Sequence, residues 1–218
     1  MWESVLPASV TWVWSGADRL DIELFPQEEA ALVGASAKRR AEFTTVRTCA
    51  REALHARGHA PAPLLPGERG APRWPDGMVG SMTHCAGHRA VAVADAGEVA
   101  ALGIDAEPHA ALPEGVLDRI ARSEELAALR TLSGPTPTAW DRVLFSAKES
   151  VYKAWFPLVR RRLGWRDVSV TFAEEGAFTA RFHVQGPELR GGPLTGFSGR
   201  WAVAEGTVLT GVVVDGSA

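Results

Sequence analysis

A helix-forming stretch followed by short strands occurs twice along this chain of 218 residues, and this order restricts the folds that the chain can adopt. Helical periodicity and composition predict helices over 27–58, 113–132 and 138–159, with a breaker over 133–138. Alternating apolar and polar residues predict short strands, most of them after a helical stretch and separated by glycine-containing turns. The predicted strands are 9–14, 78–83, 89–94, 98–107, 168–171, 177–183, 199–204 and 207–214.

Because helices followed by a small antiparallel sheet are predicted twice, we expect an α+β fold of two similar lobes with a shared site between them. We place the lobes at residues 1–104 and 105–218. The three strands within 78–107 are expected to form an antiparallel meander. A run rich in proline and glycine over 61–77 predicts a loop, which carries Arg69 and Arg73.

The charge of the chain argues against a nucleic-acid partner. The net charge is −3, whereas proteins that bind phosphate backbones need a cationic field. One region differs, because the stretch from Lys38 to Arg73 has eight basic residues against three acidic ones. This local excess of positive charge predicts a site for a small polyanion.

Cysteine usage and hydropathy predict a cytoplasmic protein. Cys49 and Cys85 show no C-x-x-C spacing, so we expect free thiols in a reducing compartment. The N-terminus lacks the pattern of a signal peptide, and no apolar run is long enough to span a membrane. We therefore expect no membrane partner.

Two carboxylates occur in alternation near the end of a predicted strand, in the sequence Gly103-Ile104-Asp105-Ala106-Glu107. Alternation places Asp105 and Glu107 on one face, where they repel each other unless a cation lies between them. Hard oxygen ligands of this kind suit Mg²⁺. The alternative is an ordinary solvated strand end.

A predicted helix adds a third carboxylate and two amines in Lys148, Glu149 and Lys153. Glu149 and Lys153 are one turn apart, so an exposed i,i+4 ion pair is the simplest interpretation. The helix is apolar over much of its circumference, however, which indicates partial burial and shifted pKa values. Thr83 and His84 end another predicted strand, where a hydroxyl and an imidazole could reach phosphate oxygens.

Other catalytic signatures are missing from the sequence. The spacing of His84 and His88 lacks the glutamate and the helix of a zincin motif. The chain also contains no serine-hydrolase elbow, no P-loop and no dinucleotide fingerprint after a strand.

Taken together, segments 103–107 and 145–153 resemble the paired signature of the Sfp-type 4′-phosphopantetheinyl transferases. The resemblance extends upstream through 39–47, 74–77 and 80–85, and downstream to Leu158. It is strongest to the bacterial branch that serves lipid, polyketide and nonribosomal peptide synthases.

The resemblance implies a pseudo-dimer of lobes that transfers the phosphopantetheine arm of coenzyme A to a serine hydroxyl of an apo acyl or peptidyl carrier protein. Adenosine 3′,5′-bisphosphate would be released. Mg²⁺, or alternatively Mn²⁺, would be bound by Asp105, Glu107 and Glu149 in the C-terminal lobe. Two residues would be catalytic. Glu149 would act as base, metal ligand or both, and Lys153 would stabilise charge on the departing phosphate. The implied coenzyme A ligands, mostly in the N-terminal lobe, are Arg39, Arg40, Arg47, Arg69, Thr83, His84 and Lys148.

Two other functions use the same residues. The first is a noncatalytic coenzyme A or carrier-protein binding module, and the second is a Mg²⁺-dependent pyrophosphate hydrolase. His88 departs from the family pattern, which has an aromatic tyrosine there. The basic run 160–162 either complements the dipole of the preceding helix or docks an acidic carrier helix. The family resemblance also implies a monomer.

Overall fold

The computed structural model describes residues 1–132, 138–173 and 176–216, and it has the predicted α+β architecture with two lobes. The strands are β1 (Thr11–Ser15), β2 (Met78–Cys85), β3 (His88–Asp95), β4 (Val99–Pro108), β5 (Val168–Phe172), β6 (Ala177–Phe182), β7 (Glu188–Leu189), β8 (Gly192–Pro193), β9 (Gly196–Ala204) and β10 (Thr207–Asp215). The helices are α1 (Pro26–Ala30), α2 (Ala37–His55), α3 (Val116–Ile120), α4 (Ser123–Leu129) and α5 (Trp140–Val159), with 3₁₀ turns at Trp2–Ser4 and Glu68–Gly70. Among the described helices, none combines the length and the apolar character needed to cross a lipid bilayer.

All strand pairs are antiparallel. The first sheet has the order β1-β3-β2, the second has the order β4-β10-β9-β6-β5, and β7 and β8 form a separate hairpin. Helix α2 packs on the first sheet and α5 packs on the second.

The first lobe forms where α2 covers the sheet with a narrow apolar face. Val46, Ala50 and Leu54 recur at helical spacing, and they pack against Val91 and Val93 of β3. The predicted helix 27–58 is interrupted, because the backbone at Gly34 is left-handed with φ of 78°. Helix α2 then starts after Ser36, whose hydroxyl accepts the backbone N–H of Arg39.

The second lobe is organised around α5, the most apolar long segment of the chain. Its buried face contains Leu144, Ala147, Val151, Ala154 and Trp155, which pack on the five-stranded sheet. The helix predicted over 113–132 is instead α3 and α4, because the backbone is extended at the junction, at Ala121 and Arg122. Most of the predicted breaker, 133–137, lies outside the described residues.

The predicted meander over 78–107 is wrong. Only β2 and β3 pair with each other, whereas β4 pairs with β10 from Val99 to Pro108. Side-chain hydroxyls connect β2 to β4 instead, because Ser81 Oγ accepts the Ile104 N–H and Thr83 Oγ1 accepts the Ala106 N–H, each at 3.0 Å. A boundary at 104/105 therefore falls inside β4, and residues 99–104 belong to the second sheet rather than the first.

A glycine determines how closely α5 approaches β4. A Cβ atom at Gly103 would lie 1.9 Å from the Ser150 carbonyl oxygen of α5, a separation that real atoms do not reach. Only glycine permits this contact, because a backbone oxygen cannot move aside as a flexible side chain can. The contact fixes the position of the helix turns that carry Glu149 and Lys153.

Lys148 lies on the opposite side of α5 and stabilises the second lobe from within. Its ammonium Nζ donates to Glu125 Oε2 at 2.8 Å and to the carbonyl oxygens of Ile120, Trp165 and Val168 at 2.8 to 3.0 Å. Both charged side chains are at most 2% exposed. The ammonium has no donor left for a phosphate, so the prediction that Lys148 binds coenzyme A disagrees with these contacts.

We expect the Gly103→Ala substitution to reduce the free energy of unfolding by at least about 2 kcal/mol, because α5 must move away from β4. Urea denaturation measures this change. Gly97→Ala is the matched control, since a Cβ atom at Gly97 meets no atom within 4 Å. Equal stabilities of the two variants would contradict the interpretation.

We expect the Lys148→Met substitution to reduce the free energy of unfolding by about 3–5 kcal/mol, because it leaves the Glu125 carboxylate buried without its counterion. Lys38→Met is the control, because Lys38 is 84% exposed and its ion pair with Glu42 is solvated. We expect that change to stay below about 1 kcal/mol. A Lys148→Met variant as stable as this control would show that the buried ion pair contributes little.

Candidate active site

A cavity of about 800 Å³ lies between the two lobes, and six of the predicted site residues line it. On the first-lobe side its wall comes from α2, β2 and the 66–74 segment, and on the second-lobe side from the start of β4 and from α5. The predicted residues that line it are Arg39, Arg47, Arg69, His84, Glu149 and Lys153. Four of the predicted phosphate-binding residues and both predicted catalytic residues therefore face one space, whereas the predicted metal ligands Asp105 and Glu107 do not line it.

The carboxylate of Asp105 is held by one of its two oxygens. Oδ1 accepts hydrogen bonds from Lys153 Nζ at 2.7 Å and from Thr83 Oγ1 at 3.2 Å. Oδ2 is buried and has no hydrogen-bond partner. A buried carboxylate oxygen without a donor is costly, and a cation would satisfy it.

Glu107 and Glu149 are the other two predicted metal ligands, and the charge of Asp105 acts on both. Glu107 Oε2 accepts a hydrogen bond from Arg142 Nη1 at 2.8 Å. Burial raises the pKa of Glu107, the charge of Asp105 raises it further, and Arg142 opposes both effects. Burial also raises the pKa of Glu149, with Asp105 and Glu107 adding to the shift and Lys153 opposing it.

Asp105 and Glu107 are too buried to be an ordinary solvated strand end. The Asp105 and Glu107 side chains are 6% and 20% exposed. Burial, and after it repulsion between the acidic side chains, raises the pKa values of Glu107 and Glu149, and a divalent cation would relieve that repulsion. Within the part of the chain that the structure describes, no three histidine, cysteine or acidic side chains already stand together as a complete metal site. The donor types and the unpaired Asp105 Oδ2 nevertheless fit a hard cation such as Mg²⁺.

The first-lobe wall of the cavity is cationic and partly dry. The Arg47 guanidinium lies 3.9 Å from the centre of the Phe43 ring, and its Nε donates to the Leu64 carbonyl oxygen. Burial lowers the pKa of Arg47 to about 10, and the neighbouring Arg39 lowers it as well. A bound anion would relieve the desolvation and the repulsion between these guanidinium groups.

His84 lies beside these arginines. Its Nε2 is 3.3 Å from Arg39 Nη1, and its Nδ1 is 3.9 Å from Glu42 Oε2. Burial lowers the pKa of His84, Glu42 partly opposes the shift, and the positive charges of Arg39 and Lys153 add to it. The imidazole is therefore neutral near pH 7, so it can accept or donate one hydrogen bond at each nitrogen.

Two further predicted coenzyme A ligands are positioned differently from expectation. Arg40 forms an ion pair with Glu29 and does not line the cavity. Thr83 is 4% exposed, and its hydroxyl already bridges Asp105 and the Ala106 amide. Thr83 therefore positions Asp105, whereas the sequence predicted a contact with the pyrophosphate.

Sequence reasoning missed three arginines as site residues. Arg73 and Arg160 line the cavity, and Arg142 binds Glu107. The basic excess over 38–73 contained a signal for Arg73. Arg160 ends α5 in a left-handed conformation with φ of 55°, which no sequence pattern indicates.

His88, which departs from the family pattern, is a core residue. Its ring stacks on Trp14 at a centroid distance of 5.1 Å, and its Nε2 accepts a hydrogen bond from the Trp2 indole. The side chain is buried and does not line the cavity. The substitution therefore affects packing in the first lobe.

Comparisons with known proteins identify the family of the chain. A family profile described as the 4′-phosphopantetheinyl transferase N-terminal domain matches residues 27–94, and one described as the 4′-phosphopantetheinyl transferase superfamily matches residues 101–204. The transition between the two profiles, after residue 94 and before residue 101, falls at the start of β4.

Three curated relatives are similar over most of the chain. The 4′-phosphopantetheinyl transferase PptT of Mycobacterium tuberculosis is 48% identical over 97% of this chain and 96% of its own length. The 4′-phosphopantetheinyl transferase Svp of Streptomyces mobaraensis is 52% identical over 88% of this chain and 78% of its own length. The 4′-phosphopantetheinyl transferase Npt of Nocardia iowensis is 44% identical over 97% of this chain and 99% of its own length.

Both family profiles, the curated relatives and the two-lobed fold lead to one conclusion: this chain belongs to the 4′-phosphopantetheinyl transferase superfamily and is an enzyme of that activity.

Proposed function

We propose that this enzyme transfers the 4′-phosphopantetheine arm of coenzyme A to a serine hydroxyl of apo acyl and peptidyl carrier proteins in a Mg²⁺-dependent reaction, with release of adenosine 3′,5′-bisphosphate. The observation that carries the proposal is the cavity between the lobes. It sets the arginines of the first lobe opposite Glu149 and Lys153 of the second.

The charge of the cavity supports coenzyme A as the substrate. Its lining has six basic side chains and two acidic ones. Arg39, Arg47 and Arg69 are proposed to bind the 3′-phosphate end, with His84 near the pyrophosphate. Arg73 and Arg160 add two more guanidinium groups, which bind phosphate oxygens through paired N–H donors. The basic lining residues are Arg39, Arg47, Arg69, Arg73, Lys153 and Arg160.

Asp105, Glu107 and Glu149 are the proposed ligands of Mg²⁺, or alternatively Mn²⁺. Asp105 would use Oδ2, the oxygen that has no hydrogen-bond partner. When bound, the ion would neutralise charge on the pyrophosphate oxygens. Mg²⁺ usually binds through one or two carboxylates together with substrate phosphates, which suits carboxylates next to an arginine-lined cavity.

Two side chains carry the proposed proton and charge transfers. The carrier serine oxygen attacks the phosphorus atom that bears the pantetheine arm, and the bond from that phosphorus to the bridging oxygen breaks. Glu149 accepts the serine proton, directly or through water, and the raised pKa of Glu149 makes its carboxylate a better base. Lys153 donates two hydrogen bonds, to Ile104 O and Asp105 Oδ1, so its third proton is available to the departing phosphate.

The carrier proteins proposed as partners are those of lipid, polyketide and nonribosomal peptide synthases. We propose that the enzyme acts as a cytoplasmic monomer. Both lobes of one chain contribute to the cavity, so a single copy supplies every group named here.

One assay tests the proposed function. The enzyme is mixed with coenzyme A, Mg²⁺ and an apo carrier protein, and the carrier is weighed by mass spectrometry. Transfer adds the mass of the phosphopantetheine arm. Cleaved coenzyme A with an unmodified carrier would identify a pyrophosphate hydrolase, and no change in either molecule would identify a binding module.

We expect Glu149→Gln and Asp105→Asn to lower the transfer rate at least about 100-fold, because the first removes the proposed base and both weaken the metal site. The measurement is the rate of holo-carrier formation at saturating Mg²⁺. Glu114→Gln is the control, because Glu114 is an exposed acid outside the cavity. Wild-type rates in Glu149→Gln or Asp105→Asn would remove that residue from the mechanism.

We expect Arg160→Gln to raise the KM for coenzyme A about tenfold with little change in kcat, because one charged hydrogen bond to substrate is lost. The measurement is the initial transfer rate as a function of coenzyme A concentration. Arg190→Gln is the control, since Arg190 is exposed in the turn between β7 and β8 and does not line the cavity. An unchanged KM in Arg160→Gln would exclude this contact.

A further inference from the structure

Arg142 stands outside the catalytic groups described above, yet it contacts one of the proposed metal ligands. It lies in the first turn of α5, seven residues before Glu149 and eleven before Lys153. These intervals are close to two and three helical turns, so the three side chains project from the same face of α5, the face that meets β4. Arg142 reaches Glu107 near the end of β4, and Lys153 reaches Asp105 two residues earlier.

The guanidinium of Arg142 is fixed independently of the carboxylate. Nε donates to the Ala110 carbonyl oxygen and Nη2 to the Ala111 carbonyl oxygen, each at 2.9 Å. Only Nη1 contacts Glu107, at 2.8 Å from Oε2. Two backbone carbonyls therefore hold the planar group in place, and the group in turn orients Glu107.

Glu107 and Asp105 are held in the same way. Each acid has one oxygen bound to a cation of α5, Oε2 to Arg142 and Oδ1 to Lys153. The other oxygen of each acid remains for a further ligand. This repetition indicates that Arg142 and Lys153 orient Glu107 and Asp105 toward one ligand, the proposed metal ion, with one carboxylate at each end of its site.

We propose that Arg142 is a positioning residue that holds Glu107 as a single-oxygen ligand of the metal site. The inference rests on the proposed function through its metal. Its physical basis is that Arg142 and Glu107 are 15% and 20% exposed, so the contact is partly shielded from water. Without the guanidinium, Glu107 is repelled by Asp105 and is free to turn toward solvent. Groups that orient metal ligands in this way typically change metal affinity 10–100-fold.

Asp141 provides a matched control within the same segment. Its Oδ2 accepts the Leu112 N–H at 2.7 Å, so it fastens the chain after β4 to α5 without touching Glu107. Its Oδ1 accepts the backbone N–H of Arg142 at 2.8 Å, so Asp141→Ala loosens the segment and the start of α5, whereas the guanidinium keeps its own hydrogen-bonding groups and its direct contact with Glu107. If Arg142 only fastened this segment to α5, a variant without the Arg142 guanidinium and Asp141→Ala would have the same metal affinity.

The test is a titration of the full-length enzyme with Mn²⁺, with free Mn²⁺ measured by electron paramagnetic resonance and no carrier present. We expect the dissociation constant of Mn²⁺ to rise at least tenfold in Arg142→Met and by less in Arg142→Lys, which keeps the charge but loses the planar fork. We expect it to change less than threefold in Asp141→Ala. The dissociation constant of coenzyme A without metal should be unchanged in all three variants.

Three results would overturn the proposal: wild-type Mn²⁺ affinity in Arg142→Met, an equal loss in Asp141→Ala, or no Mn²⁺ binding by the wild type. Circular dichroism establishes that each variant is folded, and Arg142→Lys replaces Arg142→Met if the latter is not. Failure of the carrier assay would refute the proposed function. The Mn²⁺ titration contains no carrier, so its result reports on Arg142 independently of that assay.

Discussion

The close approach of α5 to β4 is the constraint on which the site depends. The Ser150 carbonyl oxygen occupies the space that a side chain at position 103 would fill, so the helix lies directly on the strand. At this distance the Lys153 ammonium reaches both the carboxylate and the backbone of β4. A larger residue at position 103 would separate the acids of the strand from the groups of the helix.

Electrostatics gives opposite characters to the arginine-rich cavity and to the acidic residues Asp105 and Glu107 beside it. In the second lobe, burial raises the pKa values of Glu107 and Glu149, the charge of Asp105 adds to both shifts, and Lys153 opposes both. In the first lobe, arginines crowd around a partly dry wall, where burial lowers the pKa of Arg47. Under the proposed function, a metal ion and a polyphosphate would neutralise each other as well as these two regions, so each would favour the binding of the other.

The fold class could be predicted, and the proposed site residues could be selected, because both depend on local signals. The alternation in 103–107 and the apolar face of α5 are visible within single segments, and both elements form as expected. The partner of β4 could not be predicted, because neighbouring strands usually pair and nothing local indicates that β10 takes that position. Lys148 was misassigned for a related reason. Its four acceptors come from distant segments, so its sequence neighbours Glu149 and Lys153 suggested a role for which its ammonium has no N–H donor left.

The hydroxyl groups of Ser81 and Thr83 have a consequence for the solubility of the fold. Strand β4 is the outermost strand of its sheet, and its free amides at Ile104 and Ala106 would otherwise offer a template for strand addition by another molecule. The two hydroxyls cover these amides without extending the ladder. The chain thereby covers part of this edge with side-chain hydroxyls of β2, and no strand is shared between the two sheets.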